Sequence, residues 1–360
     1  MDSAARVPTS FGKTILPLPL EWHREKGDHL QRAGWLAILL LAAFACPLNP
    51  ATASAATRAN AVVTANDRGG NGASNGIPDE FTLIRRGAFV DMYQNGIRSR
   101  SWRLGSLNSL TVNGSNDDDT LTVDFSGGNP MPSGGLYYNG GDNGPAGDTL
   151  RLTGGALDNV AYTFFNRTDG AVDINGRRIV YTGLEPVVDT VPSLSLTVNA
   201  TNAPNAITYQ RNGSNGEVAI DNSEVLDFSN KVALTINGFA GDDHIDLDAG
   251  AFTPTALTSI VVNCGPGNDV VSVAAGTQVP ITINGDDADD LFRVSPPAGA
   301  TITVDGGDHV VGDHLLVVAG ASKAKNTGTA VVVDGFMNVN YSNLQRVDIV
   351  TKSNLKKFLP

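Results

Sequence analysis

Apolar and polar residues alternate along most of the chain in short runs, and Gly, Asn and Asp separate these runs. Residues 233–294 show the pattern most clearly, because the same phrase occurs there three times. An alternating run (LTIN, IVVN, ITIN) is followed by a Gly/Asp turn and then by a second alternating run (HIDL, VVSV, LFRV). Alternation with a period of two predicts short β-strands with one buried face, and Gly and Asp between them predict tight turns.

The aspartates of these turns recur at a nearly constant spacing. Asp243, Asp269, Asp290 and Asp313 follow one another at sequence intervals of 26, 21 and 23. This period is too short for an immunoglobulin-like domain and is typical of one coil of a parallel β-solenoid. We therefore predict an all-β fold, a right-handed parallel β-helix or β-solenoid, with the Gly/Asp turns stacked along one edge. Antiparallel β-sandwich repeats remain the alternative, because many short strands with frequent turns also fit them.

The second half of the chain resembles the first half. Asp119 corresponds to Asp290, Asp148 to Asp313 and Tyr181 to Tyr341, so the matching positions are shifted by similar amounts in the same order. This internal duplication predicts a first β-repeat block over residues 80–190 and a second over 191–350. A basic tail follows at 351–360. Residues 56–79 lack periodicity and are rich in Gly, Asn and Ala, which predicts a flexible linker.

Residues 1–55 predict an export signal. Basic residues at 24, 26 and 32 precede an apolar run at 35–46, and small residues at 51, 53 and 55 form a cleavage zone. The run is shorter than the roughly 20 residues needed to span a bilayer, so we expect no stable membrane span in the mature chain. Lipidation of Cys46 and the position of the true start remain open.

The charge of the chain narrows the partners that can be expected. The net charge is −12, and residues 56–360 carry 33 acidic residues against 20 Lys and Arg. An acidic surface repels nucleic acid, which is therefore not an expected partner. The negative charge is instead suited to binding divalent cations or to keeping the protein soluble. Cys264 is the one cysteine beyond the predicted signal, so the chain has no disulfide framework.

The turn phrases resemble the nonapeptide of hemolysin-type (RTX) calcium-binding repeats, G-G-x-G-x-D-x-U-x with U apolar. Residues 238–246 match at Gly238, Gly241, Asp243 and Ile245. The longer phrases also resemble modules of large secreted and cell-surface proteins of environmental bacteria. The resemblance implies export, a solenoid-like β architecture and surface interaction, and it implies no defined catalytic residues.

This resemblance makes the corner aspartates candidate calcium ligands, since carboxylate oxygens are what calcium prefers. The candidates are Asp119, Asp148, Asp243, Asp269, Asp290 and Asp313. The spacing of the corners departs from the family pattern. In the RTX family the nonapeptides follow one another directly, whereas the corners of this chain lie a whole coil apart in the sequence. The alternative is that each aspartate caps its turn by accepting backbone N–H groups.

The predicted function is that of a secreted or cell-surface, non-catalytic protein with an adhesive or structural role. Calcium ions are one predicted partner, and a surface polysaccharide or another cell-surface protein is the second. The alternative is a carbohydrate-active β-helix enzyme, a polysaccharide lyase or hydrolase. Such an enzyme needs paired carboxylates, or a base with an arginine partner, in an open groove. The sequence assigns no catalytic residue.

Overall fold

A computed structural model describes residues 57–354 except 71, 73, 74, 143, 249–255 and 277. These residues form an all-β structure with 28 strands and one 3-10 turn at Leu104–Ser106. The predicted export signal and residues 355–360 of the basic tail lie outside the described residues. No helix in the described ranges is long and apolar enough to cross a membrane.

The strands, in chain order, are β1 (Ala59–Thr64), β2 (Glu80–Arg86), β3 (Phe89–Gln94), β4 (Ile97–Arg103), β5 (Leu107–Asn113), β6 (Thr120–Asp124), β7 (Leu136–Asn139), β8 (Asp148–Thr153), β9 (Leu157–Phe164), β10 (Gly170–Ile174), β11 (Arg177–Thr182), β12 (Leu184–Asp189), β13 (Ser193–Asn199), β14 (Ala206–Asn212), β15 (Asn215–Ile220), β16 (Leu226–Phe228), β17 (Lys231–Asn237), β18 (His244–Asp248), β19 (Ser259–Asn263), β20 (Val270–Val273), β21 (Ile281–Asn284), β22 (Leu291–Val294), β23 (Ile302–Asp305), β24 (His314–Gly320), β25 (Ala324–Asn326), β26 (Ala330–Val333), β27 (Val339–Ser342) and β28 (Arg346–Thr351).

Two mixed sheets of 14 strands each contain all of these strands. Sheet A has the order β1-β5-β7-β11-β10-β9-β13-β17-β19-β21-β23-β27-β26-β25. Sheet B has the order β28-β24-β22-β20-β18-β14-β15-β16-β12-β8-β6-β2-β3-β4. In each regular coil the chain runs along a strand of sheet A, turns at a Gly/Asp corner and continues along a strand of sheet B. It then crosses back to sheet A along the opposite edge, which we call the return edge.

Successive coils pair in parallel and in register. In sheet A, Leu234 lies beside Ile260, which lies beside Ile281 and then Ile302. This parallel stacking confirms the β-solenoid-like class, and it is a pairing that the antiparallel sandwich alternative does not have. The residues of this row are buried, so each coil covers the apolar face of the next. Burial of one such side chain stabilises the fold by about 1.5–3 kcal/mol.

Antiparallel strands interrupt the coils at four places, where β3, β10, β15 and β26 run against their neighbours. Two of the hairpins turn at Asn-Gly pairs, with φ of 50° and 77° at Asn95-Gly96 and 48° and 76° at Asn175-Gly176. Both residues of such a turn need the left-handed region, which Asn and Gly adopt most readily.

Regular structure begins earlier than the sequence predicted. Ala59–Thr64 lies inside the predicted flexible linker, yet it forms β1 and pairs in parallel with β5. The run is short and its flanks are rich in Gly and Asn, so its pairing with a strand that is distant in the sequence left no local signal. Hydrogen bonding also continues across the predicted boundary between the two repeat blocks, because β12 pairs with both β8 and β16.

Candidate functional site at the Gly/Asp corners

The six predicted calcium ligands occupy one equivalent position in their coils, at the start of a sheet B strand. Asp148 is the first residue of β8, and the other five immediately precede a strand. The fold therefore brings them into two rows along the corner edge. All six are buried, with exposed fractions of 2% or less.

Four of these aspartates form a continuous row, which we call the inner ladder. Within it, backbone N–H groups donate to the Oδ1 atom of the next coil: Asp243 to Asp269 (2.7 Å), Asp269 to Asp290 (2.9 Å) and Asp290 to Asp313 (2.9 Å). The N–H of Asn205 donates to Asp243, and the N–H of Asp313 donates to Gln345 Oε1. Each carboxyl group thus joins its coil to the preceding one.

A shorter row of the same kind lies nearer the N-terminus. The Asp79 N–H donates to Asp119 Oδ1, and the Asp119 N–H donates to Asp148 Oδ1, both at 2.6 Å. Asp119 also accepts the N–H of Ser115 with its second oxygen, at 2.6 Å. The same arrangement of hydrogen bonds therefore joins coils in both predicted repeat blocks.

The glycine that opens each corner leaves room for the carboxyl group. A Cβ atom built on Gly238 would lie 2.4 Å from Asp243 Oδ2, and one on Gly285 would lie 2.2 Å from Asp290 Oδ2. Neither glycine has a positive φ. At these two positions close packing, rather than backbone conformation, favours glycine. Cys264 takes the equivalent position in its coil, and burial raises the pKa of its thiol.

The residue before each inner aspartate forms a second row, the outer ladder, with the opposite direction of donation. The Asn268 N–H donates to Asp242 Oδ1 (2.8 Å), and the Asp289 N–H donates to Asn268 Oδ1 (3.2 Å). Asp289 in turn accepts the N–H of Gly312 at 2.7 Å. Neighbouring corners are consequently joined in both directions.

A third row runs through the asparagines that end the strands of sheet A. The side-chain amide of Asn237 donates to Asn199, that of Asn263 to Asn237, and that of Asn284 to Asn263, each at 2.8 Å. Sequence reasoning missed this asparagine ladder. Its signal was present, since LTIN, IVVN and ITIN all end in Asn immediately before the corner.

Burial dominates the electrostatics of the inner ladder. Desolvation raises the pKa of Asp243 to about 6, of Asp269 to about 7 and of Asp290 to about 8. Backbone N–H donors lower these pKa values in part, and neighbouring carboxylates raise them further. In the shorter row, burial raises the pKa of Asp148 to about 7. The Oδ2 atoms of Asp243, Asp269 and Asp290 are buried without a hydrogen-bond partner, which also favours the protonated acid.

The predicted calcium ligands do not fit a calcium site. Calcium takes six to eight oxygen ligands, and tight sites supply several carboxylates to one ion. Here each coil offers one of these carboxyl groups, and its Oδ1 already accepts a backbone N–H. The described part of the chain holds no group of three or more His, Cys, Asp or Glu side chains that could hold a metal ion. The geometry corresponds to the capping alternative.

A separate groove of about 460 Å³ lies on the outer face of sheet B. Asp246, Ser272 and Arg293 line it from adjacent strands in register, and Asp248 lies at the end of the first of these strands. Asp246 and Arg293 are two strands apart, so their backbones are separated by about 9–10 Å. The groove combines two carboxylates with an arginine.

No family model, no curated protein and no solved structure matches the chain. The class of the protein therefore rests on its own geometry, which is that of a two-sheet β-solenoid with three hydrogen-bonded side-chain ladders along one edge.

Proposed function

We propose that the chain is an exported, non-catalytic scaffold of the cell surface, built as a right-handed β-solenoid. The observation that supports this most is the use of the corner aspartates. They are buried and hydrogen-bonded from coil to coil, so the acidic residues that recur at the corners hold the coils together and are not exposed for catalysis. Right-handed coils are expected because parallel strand crossovers are right-handed in about 98% of cases.

The proposed role suits the distribution of side chains. Apolar rows fill the space between the sheets, and polar residues face outward on both. A solenoid held by several ladders is stiff along its length, because each coil is bonded to both neighbours. Such a body displays its outer faces to other surface molecules without needing a catalytic centre.

Export is tested by expressing the full chain with a C-terminal tag in a bacterial host and fractionating the cells. We expect a processed form outside the cytoplasm, with an N-terminus near residue 56 by protein sequencing. L40R interrupts the apolar run and should retain the unprocessed chain inside, whereas L16R lies outside the run and should be exported. Cytoplasmic, full-length wild-type protein would contradict the proposal.

One observation favours a second candidate, a carbohydrate-active enzyme. The sheet B groove places Asp246, Asp248 and Arg293 together in the kind of open site that polysaccharide cleavage requires. The test is release of unsaturated or reducing sugar ends from acidic polysaccharides. Activity that D246N and R293Q abolish, and that D158N on an exposed strand start leaves intact, would establish the enzyme. Absence of release by the wild type would exclude it for these substrates.

A further inference from the structure

Four arginines converge at the return edge near the N-terminal coils. Arg58 precedes β1, Arg85 lies near the end of β2, Arg103 ends β4 and Arg177 begins β11. They line a cavity of about 390 Å³. A second cavity of about 270 Å³ adjoins it, because Ser133 and Arg177 line both. We call the two cavities together the arginine groove.

The arginine groove is cationic in a chain whose net charge is −12. No described Asp or Glu lines either cavity. Arg178 also lines the second cavity, but it is ion-paired with Asp173 at 2.6 Å, and nearby Arg100 is ion-paired with Asp67 at 2.6 Å. The four arginines of the first cavity differ in this respect, since no ion pair joins any of them to a described carboxylate.

Three of these four arginines donate hydrogen bonds to neutral partners, which leave their charge uncompensated. The Arg58 guanidinium donates to Ser133 Oγ at 2.6 Å, and Arg85 Nε donates to the Gly87 carbonyl at 2.8 Å. Arg177 donates to the Met131 carbonyl. These bonds position the guanidinium groups, while the remaining N–H donors stay available. Like charges gathered in this way repel one another unless an anion lies between them.

The chemistry of the groove indicates the kind of anion. Guanidinium groups bind carboxylate and sulfate oxygens with paired hydrogen bonds. Tyr137 lines the second cavity beside Arg177 and is 43% exposed. Gly134 and Gly135 also line this cavity and bring no side chain into it. An exposed aromatic ring offers an apolar face and a polar edge, which suits a sugar ring.

We propose that the arginine groove binds an acidic polysaccharide, with its carboxylate or sulfate groups on Arg58, Arg85, Arg103 and Arg177 and a sugar ring against Tyr137. Two adjoining cavities suit successive units of a polymer better than one small anion. The inference deepens the proposed surface role and rests on it for its setting. Binding itself is measured on purified protein, so its failure would leave the export experiment unaffected.

The test measures affinity for heparin, a sulfated polymer, and for polygalacturonate, a carboxylated one, with neutral dextran as the reference. We expect at least one acidic polymer to bind, with an affinity that falls as salt rises. The R58Q/R103Q double variant should weaken binding by at least about tenfold. R151Q removes an arginine from the exposed face of β8 and should change the affinity less than about twofold.

Two further arms separate the polysaccharide from other anionic ligands. Y137A should weaken polymer binding by about threefold or more and leave the weak binding of inorganic sulfate unchanged. Vesicles with phosphatidylglycerol and a single-stranded DNA oligonucleotide should bind more weakly than the better polysaccharide. Melting curves of all variants confirm that they are folded.

Three results would overturn the proposal. The first is that neither acidic polymer binds better than dextran. The second is that R151Q loses as much affinity as the folded R58Q/R103Q variant. The third is that the vesicles or the oligonucleotide bind more tightly than both polymers, which would assign the groove to a membrane surface or to nucleic acid.

Discussion

At the scale of single residues, the carboxyl group of Asp290 shows most clearly how burial in the inner ladder changes protonation. It accepts the Asp269 N–H, its Oδ2 has no partner, and burial is the largest of the influences that raise its pKa to about 8. An aspartate in the unfolded chain has a pKa near 3.8. Between these two values the folded state holds a proton that the unfolded state releases.

This difference sets the sign of a pH dependence. The folded state gains stability from binding this proton more tightly than the unfolded chain does. That gain is present in full below the pKa of Asp290 in the unfolded chain, and it is lost as pH rises through the pKa of Asp290 in the folded protein. We expect the free energy of unfolding to fall by at least about 1 kcal/mol between pH 5 and pH 9. Asp148, Asp243 and Asp269 contribute with the same sign. Denaturant unfolding measured at each pH checks the prediction.

The variant D290N isolates the contribution of this residue. Its amide oxygen can still accept the Asp269 N–H, but it cannot ionise, so the variant should gain stability relative to wild type as pH rises. D158N changes an exposed acid and should keep the wild-type slope. A D290N protein with an unchanged slope would show that Asp290 is not protonated in the folded state.

The corner glycines give a second prediction at this scale. A Cβ atom at position 285 would lie 2.2 Å from Asp290 Oδ2 and 2.3 Å from the Gly306 carbonyl oxygen. G285A should therefore lower the free energy of unfolding by about 1–3 kcal/mol. G105A meets no atom within 4 Å and should change it by less than about 0.5 kcal/mol. Equal effects of the two substitutions in thermal unfolding would contradict the packing explanation.

At the scale of the strands, the asparagine ladder joins β13, β17, β19 and β21 at their ends. Asn263 lies inside it, donating to Asn237 and accepting from Asn284. Since these groups are partly buried, N263A leaves an acceptor and a donor without partners. We expect a loss of about 1–3 kcal/mol in chemical denaturation. S259A, at the start of the same strand, should lose less than about 0.5 kcal/mol, and a similar loss would argue against the ladder.

At the scale of the whole molecule, the three ladders join neighbouring coils by direct hydrogen bonds between protein groups. A ligand that binds only the folded state must raise the melting temperature, so without a calcium site this temperature should change by less than about 1 °C between millimolar calcium and an excess of chelator. A calcium-dependent rise in wild type that D269N and D290N abolish would restore calcium to the inner ladder.

Much of the fold could be predicted because its signals are local and repeated. The alternation of LTIN, IVVN and ITIN marks the strands, and the spacing of Asp243, Asp269 and Asp290 equals the length of a coil. The strand β1 could not be predicted in this way, since a short run becomes a strand only by pairing with β5. The arginine groove was equally hidden, because Arg58, Arg103 and Arg177 are far apart in the chain and have no shared motif.

The amino-acid sequence alone establishes the period of the solenoid, the alternation of buried and exposed residues and the position of an aspartate at each corner. These features follow from backbone geometry and from the preference of Gly and Asp for turns. The use of the aspartates depends instead on the stacking of coils that are distant in the chain. Stacking buries them and turns a backbone N–H of the preceding coil toward each carboxyl group of the inner ladder. These hydrogen bonds make the corner aspartates links between coils, and the loss of water on burial raises their pKa.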